Sequence, residues 1–532
     1  MHVTSVPQSG LPLNSRLAAD ACDRPERVVS FYRHPRRDLA SFQAAAAEIR
    51  FPVERRAALV AALRARNPES AALERLARPG TVVVAAGQQA GLFSGPAYSV
   101  YKALHAAKLA AWLTDNGLPA VPVFWLATED HDFAEVNHVW VFDAQHRPAK
   151  VEAGRAASGQ PAGLVELPAP PVRELLAAME GLPFAAETAL LVEECYRPGG
   201  TMGEGFGALL RRLLRDFDIP QIDPLLPQFR ELAAPLLRAA VEAAPELSAR
   251  VLERGRELTA AGYHAQVHVE EHTSFVFLLE NGKRLALRRQ GGEYALNGRR
   301  IGATELMDCA ASLSPNALLR PVAQDSMLPT AAYIGGPAEI AYLAQSEAIY
   351  RALLGRMPVA VPRAGFTILD AHSQKLMERY GLALPDFFAG EDALRERVAA
   401  RLVPPSLAAS VREAAASVES AVDRLRGDMA GFDPTLGRAL DRGARKIRYQ
   451  IEKIGRKAAR EALSRDARAR RDATSLYGLI YPERHLQERL YSILPFLAKH
   501  GPTLIERVYD ALQPDSPDHR ILALEQIPAS SQ

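Results

Sequence analysis

The sequence has only three cysteines and three tryptophans in 532 residues, and little net charge. It also lacks any apolar run of the ~18 residues that a membrane-spanning helix needs. Cys22, Cys195 and Cys309 are scattered and odd in number, with no CxxC pair. That excludes a disulfide framework and a cysteine-based zinc or redox site, and suits a reducing compartment. All three read as small buried hydrophobes. The opening residues, MHVTSVPQSGLPLNS, have neither the basic start nor the apolar core of a secretory signal. A cytoplasmic location without a membrane partner is therefore expected. Lys and Arg number 64 against 62 Asp and Glu, so no global field draws in nucleic acid. What is present is an ordinary globular composition, 48% apolar and 24% charged. The length allows a large core and at least one further domain.

Residues 81–138 organise the rest. Thr81–Ala86 and Val121–Ala127 are short apolar runs rich in β-branched or aromatic residues, which predicts two strands. Between them the pattern predicts a helix of about 18 residues starting near Pro96. Strand, Gly-rich turn, helix, strand is a βαβ unit, and the continuous apolar runs predict a parallel sheet buried on both faces. Two polar clusters, Gly87-Gln88-Gln89 and Glu129-Asp130-His131-Asp132, each closely follow a strand. In an open parallel sheet that is the edge where ligands bind.

Before this unit, Asp38–Ile49, Val53–Ala65 and Ala71–Ala77 have helical spacing, and residues 1–80 read as mostly helical. After it, His138–Phe142 reads as a strand and 144–180 as a loop-rich insertion. Helices are expected at 184–196 and 203–217, and Pro220–Asp223 as a further short strand. The style changes at 264–304. Asn281-Gly282 and Asn297-Gly298 mark hairpin turns, predicting an antiparallel meander that begins at His272–Glu280 and Lys283–Gln290. Ala331–Ile334 reads as a strand, Gly335-Gly336 as a turn and Pro337 as the start of a helix to about Leu354. Val359–Val361 and Thr367–Leu369 then complete the sheet. From about 385 to 471 apolar residues alternate at spacings of three and four. Val411, Ala415, Val418, Val422, Leu425 and Met429 form one stripe. After a turn at Gly431–Pro434, Leu440, Ala444, Ile447, Ile451, Ile454 and Ala458 form the other. This predicts an antiparallel helical hairpin with a coiled-coil seam, which suggests a dimer because two helices alone bury little. Residues 474–513 regain globular character, and the tail after Pro514 reads as loose.

Several groups could carry chemistry. Gly87, Gln88, Gln89, Gly91 and Gly95 form a glycine-bearing loop ahead of a helix, where backbone and helix N-terminus suit an anion. Lys102 lies within reach on that helix. The pattern is neither GxGxxG nor a Walker A motif, so a plain structural turn is an equal reading. In the second cluster a carboxylate beside an imidazole can orient the ring and raise its basicity. Glu129, Asp130, His131 and Asp132, followed by Glu135, Asn137 and His138, are candidates for general base or cation ligand, against a helix cap. His264, His268 and His272 would share one face of a strand, but at that spacing they stand too far apart for one metal, and no metal site is assigned. Arg320 can hold a carboxylate or phosphate bidentately, with Gln324 and Asp325 nearby. Gly335-Gly336 and Glu339 repeat the strand–turn–helix logic of the first loop. From Arg438 to Arg471, 13 Lys or Arg face four acids, a local +9. Without interleaved aromatics this reads as a solvated coiled-coil face, so nucleic acid is not expected as a partner.

Five stretches together resemble the bacillithiol biosynthesis cysteine-adding enzyme family. They are GQQAGLFSGPAYSVYKA at 87–103, PVFWLATEDHDFAEVNHV at 122–139, GYHAQV at 262–267, LSPNALLRPVAQDSMLPTAAYIGGPAEIAYLAQ at 313–345 and LYGLIYPERHLQERLYSILPFLAKHG at 476–501. They add Ser94, Tyr98 and His264 to the candidate binding residues. The resemblance implies an α/β fold: a Rossmann-like parallel-sheet core with inserted segments and a C-terminal coiled-coil hairpin that makes a homodimer. The corresponding division is a catalytic core at 1–384 with insertions at about 144–218 and 264–304, a hairpin at 385–471, and a segment at 472–532 returning to the core. The implied reaction joins L-cysteine by an amide bond to the amine of glucosaminyl malate. A carboxylate must be activated before it acylates an amine, normally as an adenylate or acyl phosphate, so ATP, with ADP as the spent form and Mg2+ as its ion, is one candidate co-substrate, and the activating group is otherwise open. A different acceptor, served by a nucleotidyl-transferase or aminoacyl-activating enzyme, is the alternative. A non-catalytic coiled-coil scaffold would leave Glu129–Asp132 without a role.

Overall fold

The computed structural model describes residues 2–12, 15–433 and 436–525. The central strand, β1 (Val82–Gln89), is buried through Gly87, as β-branched residues on a doubly covered pleat should be. It leads to helix α1 (Tyr98–Asp115) and strand β2 (Ala120–Ala127), the expected βαβ unit. Strand β3 (Gln221–Ile222) is short. Helix α2 (Arg320–Met327), strand β4 (Thr330–Gly335), helix α3 (Pro337–Leu353) and strand β5 (Val359–Pro362) follow after a long interval. All four pairings are parallel, in the order β3-β2-β1-β4-β5. The chain therefore winds outward from β1 to β3, then returns to build β4 and β5 on the other side. The winding direction reverses between β1 and β4. Beyond the carboxyl ends of those two strands lies the crevice where such sheets bind ligands.

The inserted antiparallel sheet has the two predicted hairpins, with Asn281 and Asn297 at positive φ in their turns. A fifth strand, Leu313–Pro315, joins it beside Thr273–Glu280.

Four expectations need correction. Gly87-Gln88-Gln89 is not a turn but the end of β1, because it pairs with Trp125–Ala127 throughout. The segment around Thr367 does not complete the parallel sheet. Gly365–Asp370 instead neighbours His519–Leu524, and its Phe366 and Ile368 N–H groups donate to Glu488 and Gln487 side chains at 2.7 Å. The tail after Pro514 is not loose up to Leu524, because His519–Leu524 also pairs with His2–Val6, a strand in a region read as helical. Such pairing across the whole chain has no local pattern to announce it. Finally, 262–272 is not a strand, so His264, His268 and His272 share no strand face. His264 and His268 are exposed, and His268 pairs with Glu270.

Contacts divide the chain into two compact units: Met1–Ala144, Pro148–Leu369 and Gln487–Gln532 in the first, Gln145–Arg147 and Asp370–Leu486 in the second. The dividing point is thus Asp370 rather than 385, and the segment beginning at 472 contributes to both units. The second unit is helical, with Glu391–Leu402, α4 (Pro405–Phe432), α5 (Leu436–Arg465) and Ala467–Ile480. Arg426 pairs with Asp441 at 3.0 Å and Arg448 with Glu419 at 2.5 Å, in one antiparallel register. Val422, Ala444, Ala459 and Leu463 are buried along these helices. Leu425, Ile447 and Ile454, expected in the seam, are exposed, since a pair of helices covers only part of a stripe. The helix reaches Phe432, and Pro434 of the expected turn lies outside the described residues.

Candidate active site

Two successive residues of β1 organise the edge. Neighbours on a strand point to opposite faces, so Gln88 and Gln89 serve two separate clusters.

The first cluster spans the reversal point. Lys102 on α1 donates to the Gly87 carbonyl and to Gln88 Oε1, each at 2.9 Å, and to Glu339 Oε2. Glu339, in the first turn of α3, also accepts the Gly336 N–H at 2.7 Å and the Tyr333 hydroxyl at 2.6 Å. The pair therefore ties the end of β1 to the end of β4. Arg320, at the start of α2, donates to the hydroxyls of Tyr333 at 2.9 Å and Tyr342 at 3.2 Å. Gln88 Nε2 reaches the Tyr98 hydroxyl at 3.3 Å. The Tyr98 ring is faced by Arg363 at 4.9 Å and Arg489 at 5.9 Å. Arg363 in turn pairs with buried Glu488 at 2.6 Å. Lys102, Arg320 and Arg363 outnumber Glu339 and Glu488, and exposed Arg489 adds to the excess. Such an edge favours an anionic ligand. Burial pushes the Lys102 ammonium below its usual range, with Glu339 pulling it back. Burial also opposes the charge on Glu339, but Lys102, Tyr333 and Arg320 outweigh it and hold the carboxyl below its usual range.

The second cluster follows β2. Gln89 Nε2 donates to Asp130 at 2.7 Å and Glu135 at 3.0 Å. Arg284, from the antiparallel sheet, stacks on the Phe277 ring at 3.9 Å and donates to Ser314 at 3.0 Å and the Pro315 carbonyl at 2.8 Å. It also approaches His131 Nδ1 at 3.2 Å. A guanidinium can only donate, so Nδ1 accepts and the proton of a neutral His131 sits on Nε2. Glu129 is buried and pairs with Arg230 at 3.3 Å. Burial pushes its carboxyl up to about 7, against the pull of Arg230 and Arg284.

The glycine loop is built for shape. Phe93, Ser94 and Gly95 all have positive φ, and a Cβ on Gly91 would lie 2.9 Å from the Gly95 Cα. The N–H groups of the loop and of the helix start are already engaged. Phe93 donates to the Tyr196 hydroxyl at 3.0 Å, Gly95 to Leu92 at 2.9 Å and Ala97 to Tyr491 at 2.7 Å.

Gly87, Gln88, Gln89, Tyr98, Lys102, Glu129, Asp130, His131, Arg320, Gly335, Gly336 and Glu339 thus line the two clusters. Other candidates fall elsewhere. Asp132 caps the helix Phe133–Val136, accepting from Glu135. Asn137 and His138 face each other at 3.2 Å, and Asn137 binds the Gly154 carbonyl. Gln324 does join the first cluster, its Oε1 accepting from Arg320 at 3.2 Å, while fully buried Asp325 lies beneath it, held by the Tyr350 hydroxyl and the Gln324 amide. His264 is exposed, and no hydrogen bond among the described residues ties it to either cluster. Arg363 could have been found, because it directly follows strand β5, as Glu129 closely follows β2. Arg230, Arg284 and Glu488 carry no such signal.

Fold and edge define a class first: a doubly wound α/β protein with a cation-rich crevice at its reversal point and a helical C-terminal unit. Known proteins with this sequence pattern supply the family. "Bacillithiol biosynthesis BshC, N-terminal Rossmann-like domain" matches residues 1–364, and "Bacillithiol biosynthesis BshC, C-terminal coiled-coil domain" matches 366–524. A protein of Solibacter usitatus named "Putative cysteine ligase BshC" is 67% identical, over 98% of this chain and 100% of its own length. Proteins of the same name from Koribacter versatilis and Heliobacterium modesticaldum are 36% and 33% identical, over 97% and 96% of this chain and 99% and 94% of their own. The chain belongs to the bacillithiol biosynthesis BshC family, and by that membership it is an enzyme of the ligase class. No helix among the described residues is long and apolar enough to cross a membrane.

Proposed function

We propose that the protein joins the carboxyl group of L-cysteine to the amine of glucosaminyl malate, forming an amide. The observation that carries this reading is the excess of cations at the reversal point, Lys102, Arg363 and Arg489 around Tyr98 and Arg320 against Tyr333. Malate brings two carboxylates and cysteine one, and a buried cationic edge offsets their desolvation.

The amine nitrogen attacks the carbonyl carbon of the activated cysteine, the C–N bond forms, and the bond to the activating oxygen breaks. The amine proton passes to Glu129, whose carboxyl at about 7 is matched to neutral pH. His131 presents Nε2–H to the developing oxyanion, rather than acting as the base. Asp130 and Arg284 fix the second cluster, and Lys102 with Glu339 fixes the first.

ATP with Mg2+ enters this proposal on chemical grounds alone. The N–H groups from Phe93 to Ala97 are spent on Tyr196, Leu92 and Tyr491, so this loop does not fit a phosphate cradle. No step is routed through it. A cytoplasmic homodimer joined through the hairpin completes the proposal. Its support is the exposed apolar set Leu407, Leu425, Phe432, Ile447 and Ile454 on α4 and α5.

The test is mass spectrometry of purified protein with glucosaminyl malate and cysteine, with and without ATP and Mg2+. Bacillithiol formed only with ATP is expected. Product without ATP would discard nucleotide activation alone. No product in either case would overturn the acceptor and favour another aminoacyl-activating reaction.

A further inference from the structure

A second cavity lies away from this edge, beside the amino end of β3. Its volume is about 660 Å3, within the ordinary range for small-molecule sites. The loop Arg66–Ala71, the segment Leu210–Arg215 and Asp218–Gln221 form its walls, with Phe124 of β2 at its base. The sequence explains why this space stays open. Val53–Arg66 and Met202–Leu213 are helices that both finish here, and Pro68 and Pro220 prevent either connecting segment from becoming more helix. Asn67 staples the walls together. Its amide donates to the Gln221 carbonyl at 3.0 Å, and its oxygen accepts the Gln221 N–H at 2.9 Å.

The polar groups in this cavity are incompletely used. Gln221 is 2% exposed. Its Nε2 donates to the Gly207 carbonyl at 3.0 Å, but its Oε1 is buried without a hydrogen-bond partner. Arg66 Nε and Ser70 Oγ are likewise buried and unpartnered. Burying such groups unpaired is costly, and a ligand or ordered water would recover that cost. Charge points the same way. Arg66, Arg211 and Arg215 line the cavity against Glu69 and Asp218, and Asp218 is already engaged by the Ala72 N–H at 2.6 Å. The nearest carboxylate to Arg66 is Asp223 at 3.7 Å, a loose pairing. Arg215 meets only exposed Asp216, at 3.6 Å. Arg211 reaches across to the Arg66 carbonyl at 3.4 Å, placing the two arginines side by side. Guanidinium groups so placed are the usual receptor for phosphate or carboxylate. Leu210, Leu214, Pro220 and Phe124 supply the apolar wall of the same space.

We propose that this cavity binds a small hydroxylated anion, a phosphate ester or a carboxylate, held by Arg66, Arg211 and Arg215 with a hydroxyl donating to Gln221 Oε1. It is a site separate from the cationic crevice. Asp223, the partner of Arg66, accepts the Thr128 hydroxyl at 2.6 Å, and Thr128 precedes Glu129. An anion that draws on Arg66 therefore acts on a residue chain ending at the second cluster.

Calorimetry on the full chain at low ionic strength tests this, with inorganic phosphate and D-glucose 6-phosphate as separate probes. Both are expected to bind this cavity, the sugar phosphate at least threefold more tightly because it offers hydroxyls. The double variant Arg211→Ala, Arg215→Ala changes exposed residues and should keep its melting temperature while losing at least tenfold in affinity for both. Arg489→Ala, at the crevice, should keep the binding that the double variant loses. Undiminished binding in the double variant, or no binding of either probe to the wild type, overturns the proposal. Equal affinity for the two probes removes Gln221 from it.

Discussion

At the carboxyl edge of the sheet the Lys102 side chain is 3% exposed and touches Gly87, Gln88 and Glu339. On the long hairpin Arg448 is 48% exposed and pairs, among the described residues, with Glu419. Both are cation–carboxylate pairs, and their surroundings make them different objects. In water a pair gains little, because solvent already serves both charges and salt screens them. In the crevice each charge has lost its water, so every remaining partner matters and a missing one leaves an uncompensated charge. The hairpin can carry a local +9 without specific recognition, while a handful of edge residues define a site.

Five measurements would break or sharpen that contrast. Lys102→Met should have the largest effect. Turnover should fall about 10^3-fold as a preorganised cation is lost, and stability should fall by about 3 kcal/mol as Glu339 is left buried and unpaired. Adding Glu339→Gln should return part of the stability and none of the turnover. A single variant with unchanged stability would show that the pair is no more than a surface bridge.

Glu129 comes next. Its carboxyl is raised from 4.5 to about 7, so the folded chain binds its proton more tightly than the unfolded chain. The stability this gives is present below pH 4.5 and is lost as pH rises through 7. Glu129→Gln should lack that loss, so variant minus wild type should shift by about 3 kcal/mol in favour of the variant between pH 4.5 and 8. Wild-type turnover should rise with an apparent pKa about 7, a limb that the variant lacks. Parallel stability curves across that range would count against the raised carboxyl.

The buried histidines act in the opposite sense. Burial pushes His105 and His519 down from 6.5 to about 4. Their stability is present above pH 6.5 and is lost as pH falls toward 4, about 3 kcal/mol for each. His519→Gln should flatten part of that slope in denaturant titrations, while a slope unchanged by the substitution would place the acid sensitivity elsewhere.

On the hairpin, Ile454→Asp should change assembly more than folding. Sedimentation should show the dimer dissociating at micromolar concentration with the helical signal kept, and an unaltered sedimentation coefficient would remove this face from the interface. Arg448→Ala should be smallest, within about 0.5 kcal/mol in thermal unfolding. A larger loss there would erase the distinction between exposed and buried pairs.

Much of the core could be read in order along the chain. β1, α1 and β2 follow from apolar runs and a helical interval, and β4 and α3 from Gly335-Gly336-Pro337. The polar clusters at strand ends fell where the reading put them, because strand ends of a parallel sheet share one edge. The reading failed where partners are distant. Thr367–Leu369 reads locally as a strand of the parallel sheet, and His2–Val6 and His519–Leu524 show no strand signal, because pairing across the whole length leaves no local period. In the site, Asp132 and Asp325 have the right chemistry but point to a helix cap and to Tyr350.

By itself the sequence determined the elements and the two polar clusters, since hydrophobic period and turn residues act over a few positions. It also determined the family, whose long ordered stretches remain matched across 1–364 and 366–524. Only the tertiary structure decided that Glu339 closes on Lys102 across the reversal point, that Arg284 arrives from the inserted sheet to fix the His131 tautomer, and that Arg363 and Glu488 stand behind Tyr98. The Lys102–Glu339 contact alone joins residues 237 positions apart. Such contacts exist because the winding order brings separate strand ends to one crevice, and burial there makes each pairing count.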